Sequence, residues 1–224
     1  MDNPRPDLFD YFDRVFVINC EHREDRLRRF ISDLRLSQVT DTPQRVEQFS
    51  AVRGVKLAPP DSWDSTKGAW GCMRSHQRLL EDLCSSSGWR RALILEDDAV
   101  FLPGMNAELF EFLDQVPENW DQVYLGGQVR GVEHRKLSDL VMRPERVNRT
   151  HAYVVNSRSA HALYKHISEL AAYTRGHVDH RMEDLHREPT WRVYVPKNWF
   201  VGQAAGESDV TQQTTPQLTW QKPW

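Results

Sequence analysis

The sequence predicts a single α/β domain whose sheet is mainly parallel and covered by helices on both faces. Three observations carry this reading. Strand-like runs recur at residues 14–20, 45–52, 92–96, 122–125 and 151–155. Segments with apolar residues at helical spacing separate several of them, so strand and helix alternate along the chain. The run Ala92-Leu93-Ile94-Leu95 is apolar throughout, which suits a strand buried on both faces.

Taken in order, residues 1–13 are polar and acidic and read as an N-terminal extension. Residues 14–20 (RVFVINC) form the first buried strand. The period then changes: Leu27, Phe30, Ile31 and Leu34 fall at i, i+3, i+4 and i+7, the stripe of an amphipathic helix. Glu24 and Asp25 suit the positive end of its dipole. Arg23 falls along the apolar stripe and aims toward the strand ends. Residues 45–52 read as a short strand and 54–68 as a Pro-, Gly- and Ser-containing loop. A helix over 69–85 buries Met73, Leu80, Leu83 and Cys84. The strand at 92–96 follows, then a helix at about 106–116, a strand at 122–125, a polar loop through 130–148 and a strand at 151–155. A helix from Ser157 to Ala171 takes Asn156 or Ser157 as its N-cap. The Gln-, Thr- and Pro-rich residues 203–224 read as a C-terminal tail, leaving one domain over 14–202. With 224 residues against roughly 150 for a typical domain, one large domain fits better than two small ones.

Composition narrows the function classes. A 39% apolar and 27% charged chain can build a core. A formal net charge of −3 gives no global attraction to nucleic acid or an anionic membrane. Cys20, Cys72 and Cys84 are few, odd in number and at no metal-ligand spacing, which argues for a reducing compartment. No run approaches the ~18 apolar residues of a membrane span. The expectation is a soluble, cytoplasmic protein with no transmembrane segment and no nucleic-acid partner.

The chemistry concentrates in LILEDD (93–98), where a buried strand ends abruptly in three carboxylates. In extended chain Glu96 and Asp98 project to one side and Asp97 to the other. Open α/β sheets bind ligands beyond the carboxyl ends of their strands, where these acids lie. Clustered carboxylates repel one another unless a cation or hydrogen bonds offset them. Hard oxygen ligands suit Mn²⁺ or Mg²⁺, which in turn holds a diphosphate. A solvated acidic turn is the competing reading.

The ordered blocks VFVINCEHREDR (15–26), KGAWGCMRSH (67–76), LILEDDA (93–99), HAYVVNSRSAHAL (151–163) and VDHRM (178–182) together resemble glycosyltransferase family 25. That family contains bacterial lipo-oligosaccharide galactosyltransferases and collagen hydroxylysine galactosyltransferases. The likeness runs from about residue 14 to 210, ending on a Pro196, Gln203, Ser208-Asp209-Val210 pattern. It implies a GT-A-type, Rossmann-like mixed sheet, a UDP-sugar donor and an inverting reaction, with galactose or glucose as the favoured sugar.

Residue by residue, the resemblance implies that Glu96, Asp97 and Asp98 stand where the family binds metal and donor, Asp98 and Glu96 holding the cation. Asn19, Arg23 and Arg26 match the first block, beside the nucleotide. Cys20 stands where the family has Leu. Gly71, Cys72, Ser75 and His76 match the glycine-cysteine and serine-histidine block, Ser75 and His76 facing the donor. Asp179 and His180 match the late aspartate block, with His180 a further metal candidate. Asp179 is the candidate general base, Glu183 and Asp184 its alternatives. Structural readings stand beside these: His76 as a satisfied core histidine, Cys72 as a small buried residue, Asp179 with Glu183 and His180 with Asp184 as helix-surface pairs, and Arg23 and Arg26 as surface charges.

The function expected is metal-dependent hexosyl transfer from UDP-sugar to a hydroxyl of a saccharide, lipid-linked saccharide or protein. Two rivals come from other classes: a nucleotide-sugar or glycan-binding protein without turnover, and a metal-dependent phosphoester hydrolase.

Overall fold

The computed structural model describes residues 6–169, 176–207, 210, 214 and 215. The strands that matter are β1 (Arg14–Asn19), β2 (Glu47–Ser50), β3 (Arg91–Glu96), β4 (Ala99–Phe101), β5 (Gln122–Arg130), β6 (Arg135–Lys136), β7 (Val141–Arg143), β8 (Arg146–Asn156), β9 (Val193–Pro196) and β10 (Val201–Gln203). The helices are α1 (Leu8–Tyr11), α2 (Glu24–Ser37), α3 (Lys67–Ser85), α4 (Asn106–Gln115), α5 (Ala160–Ser168) and α6 (Val178–Leu185). Eight strands form one sheet in the order β2-β1-β3-β8-β5-β9-β7-β6. β8 and β7 run against the other six, so the sheet is mixed and mainly parallel in strand direction.

Two apolar layers sandwich the sheet, and strand alternation decides which residue serves which. Val15 and Val17 of β1, Leu93 and Leu95 of β3, and Val123 and Leu125 of β5 share one core with Phe30 and Leu34 of α2 and with Leu109, Phe110 and Phe112 of α4. Phe16, Ile18, Ile94, Tyr124 and Tyr153 face the other way, onto Met73, Leu80 and Leu83 of α3, Leu163 of α5 and Met182 of α6. Successive side chains of a strand point to opposite faces, so a strand covered on both sides must be apolar at every position. Leu8 and Phe12, in and beside α1, are buried in the first layer, so part of the expected N-terminal extension packs into the core.

Several expectations need correction. β5 extends to Arg130, β6 and β7 fall within the expected polar loop and β8 begins at Arg146, so nearly half of that loop is sheet. α5 starts at Ala160, because Asn156 Oδ1 accepts from the amides of Arg158 and Ser159 and holds a turn ahead of the helix. Cys84 is exposed, whereas His76 and Gln77 are buried on α3. Ala171, Ser208, Asp209 and residues 216–224 lie outside the described residues. No helix among the described residues is long and apolar enough to cross a membrane.

The middle of β8 is irregular. Asn148 pairs with Gln128 and Ala152 with Gly126, so three β8 residues, Arg149 to His151, stand against Gly127 alone. Arg149 takes a left-handed backbone there, with φ at +79°. Such bulges re-aim side chains that a regular ladder would fix. Gly126 has no room for a side chain against the Val201 carbonyl of β10 and the His151 ring.

Candidate active site

A cleft of about 680 Å³ opens at the carboxyl ends of β1, β2 and β3. Its walls include Cys20 and His22 after β1, Ala51 to Val55 after β2, Glu96 at the end of β3, and Asp97 and Asp98 just beyond it. Cys72 and His76 of α3, Arg149 and Thr150 of β8, and Asp179 of α6 complete it. This is where an open α/β sheet binds its ligand.

The three acids have different partners. Glu96 ends β3 and turns toward α3 and β8: Thr150 Oγ1 donates to its Oε1 at 2.6 Å, and His76 Nε2 stands 3.5 Å from the same oxygen. Asp97 turns toward β1 and α2. Asn19 Nδ2 donates to its Oδ2 at 2.7 Å, and Arg26 Nη2 lies 2.6 Å from its Oδ1. Asp98 shares Arg26 more loosely, at 3.3 Å, and Gln203 Nε2 reaches its Oδ2 at 3.5 Å. Its Oδ1 is buried and accepts no hydrogen bond among the described residues.

Electrostatics separates them too. Burial raises the Asp98 carboxyl well above the ordinary carboxylate range, the Glu96 charge adds to this, and Arg26 offsets only part. Burial also raises Asp97, against the pull of Arg26 and the Asn19 hydrogen bond. Glu96 goes the other way: burial would raise it, but His76 and the Thr150 hydroxyl outweigh burial and hold it low. Crowded carboxylates with one buried oxygen unsatisfied fit a hard divalent cation, which would relieve both the repulsion and the missing bond.

The remaining expected site residues divide. Arg26 and His76 line the cleft. Ser75 also lines it, but its hydroxyl is committed: it accepts from the Val52 amide at 2.8 Å and donates to the Gly71 carbonyl at 2.7 Å. Asn19 is 1% exposed and lies beneath the cleft, holding Asp97. Arg23 is not in the lining; its guanidinium turns to Asp25 at 3.2 Å. Asp179 sits in the first turn of α6 and faces the cleft.

Glu183 and Asp184, the alternatives to Asp179, do not reach the cleft. Glu183 is buried and takes hydrogen bonds from Arg146 at 2.9 Å and Asn148 at 3.1 Å. Asp184 pairs with Arg181 at 3.5 Å and Arg187 at 3.3 Å. Glu183, four residues on, shares the Asp179 face of α6 but lies one turn further along the axis, beyond the cleft lining. His180 is likewise absent from the lining, and its ring packs edge-on against His177 at 5.4 Å between centroids.

The sequence reading missed Arg53, Arg149 and His177, all of which line the cleft. Arg53 was within reach, since it lies just past β2 at the carboxyl end of a parallel strand. The loop that carries it packs backbone to backbone on α3, where a Cβ on Gly71 would stand 2.5 Å from the Val52 carbonyl and 2.6 Å from the Gly54 amide. Arg149 had no such signal, because only the bulge in β8 aims it.

A family model described as glycosyltransferase family 25 (LPS biosynthesis protein) matches residues 12–182. Human (Homo sapiens) inactive glycosyltransferase 25 family member 3 is 32% identical over 130 residues, 51% of this chain and 22% of that protein. Procollagen galactosyltransferase 1 of Danio rerio is 29% identical over 174 residues, 69% of this chain and 28% of that protein. The chain therefore spans less than a third of the length of these curated relatives. Among solved structures, a glycosyltransferase involved in glycosylation of the major capsid of PBCV-1 aligns with a TM-score of 0.46 and 12% identity, over 80% of each chain. Mouse xyloside xylosyltransferase 1 gives a TM-score of 0.46 and 13% identity, over 81% of this chain and 84% of that one.

Proposed function

The chain belongs to glycosyltransferase family 25, and on that premise we propose that it transfers a hexose, galactose or glucose, from a UDP-sugar to an acceptor hydroxyl with inversion. The acceptor is a saccharide, a lipid-linked saccharide or a protein side chain. The observation that carries this reading is the unsatisfied Asp98 Oδ1 beside Glu96 in a cleft that also receives Asp179 from another element.

Asp98 and Glu96 are the residues that would hold Mn²⁺ or Mg²⁺. Such a cation supplies positive charge to the leaving diphosphate as a Lewis acid. Arg26, already beside these acids, adds fixed positive charge for the donor phosphates. Asn19 and Arg26 keep Asp97 in place, so Asp97 serves by positioning the turn. The acceptor oxygen forms its bond to the anomeric carbon from the face opposite the diphosphate. The anomeric carbon–oxygen bond to UDP breaks, and its electron pair leaves with UDP. Asp179 takes the proton released by the acceptor hydroxyl, as a general base. The cytoplasmic placement belongs to the same proposal and rests on sparse cysteine usage, three in 224 residues.

The test is a thermal-shift donor screen with Mn²⁺ present, because a ligand that binds the native state raises its stability by mass action. UDP should stabilise the protein more than GDP or CMP, and turnover should stop in EDTA. A preference for GDP or CMP, or undiminished transfer in excess EDTA, overturns the donor or the metal. Donor binding without transfer to any acceptor marks a binding protein, and orthophosphate release from simple esters marks a hydrolase.

A further inference from the structure

Beside the Asp98 site lies a second group of potential ligands with a different chemistry. Cys72 and His76 are one turn apart on α3 and face the end of β3. Cys72 Sγ, a ring nitrogen of His76 and a carboxylate oxygen of Glu96 all lie within 4.8 Å of one another. His76 is 1% exposed, and its Nε2 is buried without a hydrogen bond among the described residues. That nitrogen stands 3.5 Å from Glu96 Oε1, too far for a good hydrogen bond and suited to two ligands of one cation.

We propose that Cys72, His76 and Glu96 form a three-ligand site for a borderline-soft divalent cation of the Zn²⁺ class, distinct from the hard-cation site at Asp98. One sulfur, one imidazole nitrogen and one carboxylate oxygen is a donor set that Zn²⁺ accepts and Mg²⁺ does not. The surroundings orient the ligands. His76 Nδ1 is 3.0 Å from the Tyr153 hydroxyl, which fixes the ring with Nε2 toward the group. The Thr150 hydroxyl donates to the same Glu96 Oε1 and holds the carboxylate in place. All three residues line the cleft, so a fourth coordination position faces solvent or ligand. On binding, Cys72 releases its thiol proton to solvent and coordinates as thiolate. Glu96 is common to both sites, so the Zn²⁺-class ion competes for a carboxylate that the Asp98 site also uses.

The test uses Co²⁺ as a spectroscopic substitute for Zn²⁺, titrated into the full chain with Mg²⁺ in large excess. A thiolate-to-cobalt charge-transfer band saturating at one Co²⁺ per chain is expected. It should vanish in Cys72→Ser and persist in Cys20→Ser and Cys84→Ser. In the unaltered chain, Zn²⁺ should protect Cys72 from alkylation, read by peptide mass spectrometry, while Cys84 stays reactive. Tyr153→Phe should weaken Zn²⁺ binding about 10–100-fold without removing the band at saturation. A folded wild-type chain with no band, a band that survives Cys72→Ser, or undiminished alkylation of Cys72 under Zn²⁺ overturns the site. UDP binding with Mn²⁺, measured separately on Cys72→Ser, keeps this outcome apart from the fate of the transferase assignment.

Discussion

Asn19 donates from Nδ2 to Asp97 Oδ2 at 2.7 Å, joining the end of β1 to the turn after β3. Arg26 occupies the other Asp97 oxygen, so both are taken. Its neighbour Asp98 keeps one buried oxygen without a hydrogen bond among the described residues. Two adjacent carboxylates thus have separate tasks, one fastening the turn and one left available.

Asn19→Leu tests the fastening. Removing the amide leaves a buried carboxylate oxygen unsatisfied, which costs about 1–3 kcal/mol. Urea unfolding should show a lower midpoint with an unchanged slope. An unchanged midpoint would mean that Asp97 needs no tether.

Asp98→Asn and Asp179→Asn should separate metal from base. The first keeps the shape but removes charge, so Mn²⁺-dependent UDP binding is lost and transfer falls by roughly 10²–10³. The second should keep UDP affinity while transfer falls by on the order of 10²–10⁴. Calorimetric UDP titration beside a transfer assay reads both. Loss of UDP binding in Asp179→Asn would move Asp179 into the donor site.

Glu183→Gln should affect folding and leave chemistry alone. Its carboxylate answers Arg146 and Asn148 away from the cleft, so the variant loses about 1–3 kcal/mol of stability. Specific transfer activity of the folded fraction should be unchanged. A large fall in kcat with normal stability would return Glu183 to the reaction.

His186 gives a pH dependence of stability. Its Nδ1 accepts from the Val147 amide and its Nε2 donates to Gln122 Oε1. Burial, with His166 adding, lowers its pKa from 6.5 to about 3. The folded state therefore resists the proton that the unfolded chain takes up. Its contribution is complete above pH 6.5 and is lost as pH falls below that, by about 1.4 kcal/mol per pH unit. His186→Gln removes this slope, so the stability gap between wild type and variant should narrow from pH 6 to pH 5 in urea melts. Parallel curves would show that His186 takes up no extra proton on unfolding.

How much of this was legible depended on range. β1, β3 and α2 were visible because their burial pattern is local: continuous apolar residues in Val15 to Ile18 and Leu93 to Leu95, a 3.6-residue stripe in Leu27 to Leu34. The acids were visible because they end a buried strand. Glu183 and Asp184 stood as alternatives because a short segment does not reveal how far along α6 the cleft extends. Arg149 was hidden because its direction depends on the β8 bulge, which arises from pairing with Gly126 and Gln128 more than 20 residues earlier. Cys72 shows no ligand spacing in sequence because the groups near it, His76 and Glu96, come from its own helix and from a strand end that only the fold brings together.

The close approach of Gly54 and Gly71 sets a rule for redesign. Any side chain at either position collides with main-chain atoms of the opposing segment, which cannot rotate aside. The shelf formed by Ala51 to Val55 is therefore inherited as a fixed shape. A library aimed at changing what the cleft accepts should hold both glycines constant. Its diversity belongs at Arg53 and at Val55, which is 62% exposed at the rim.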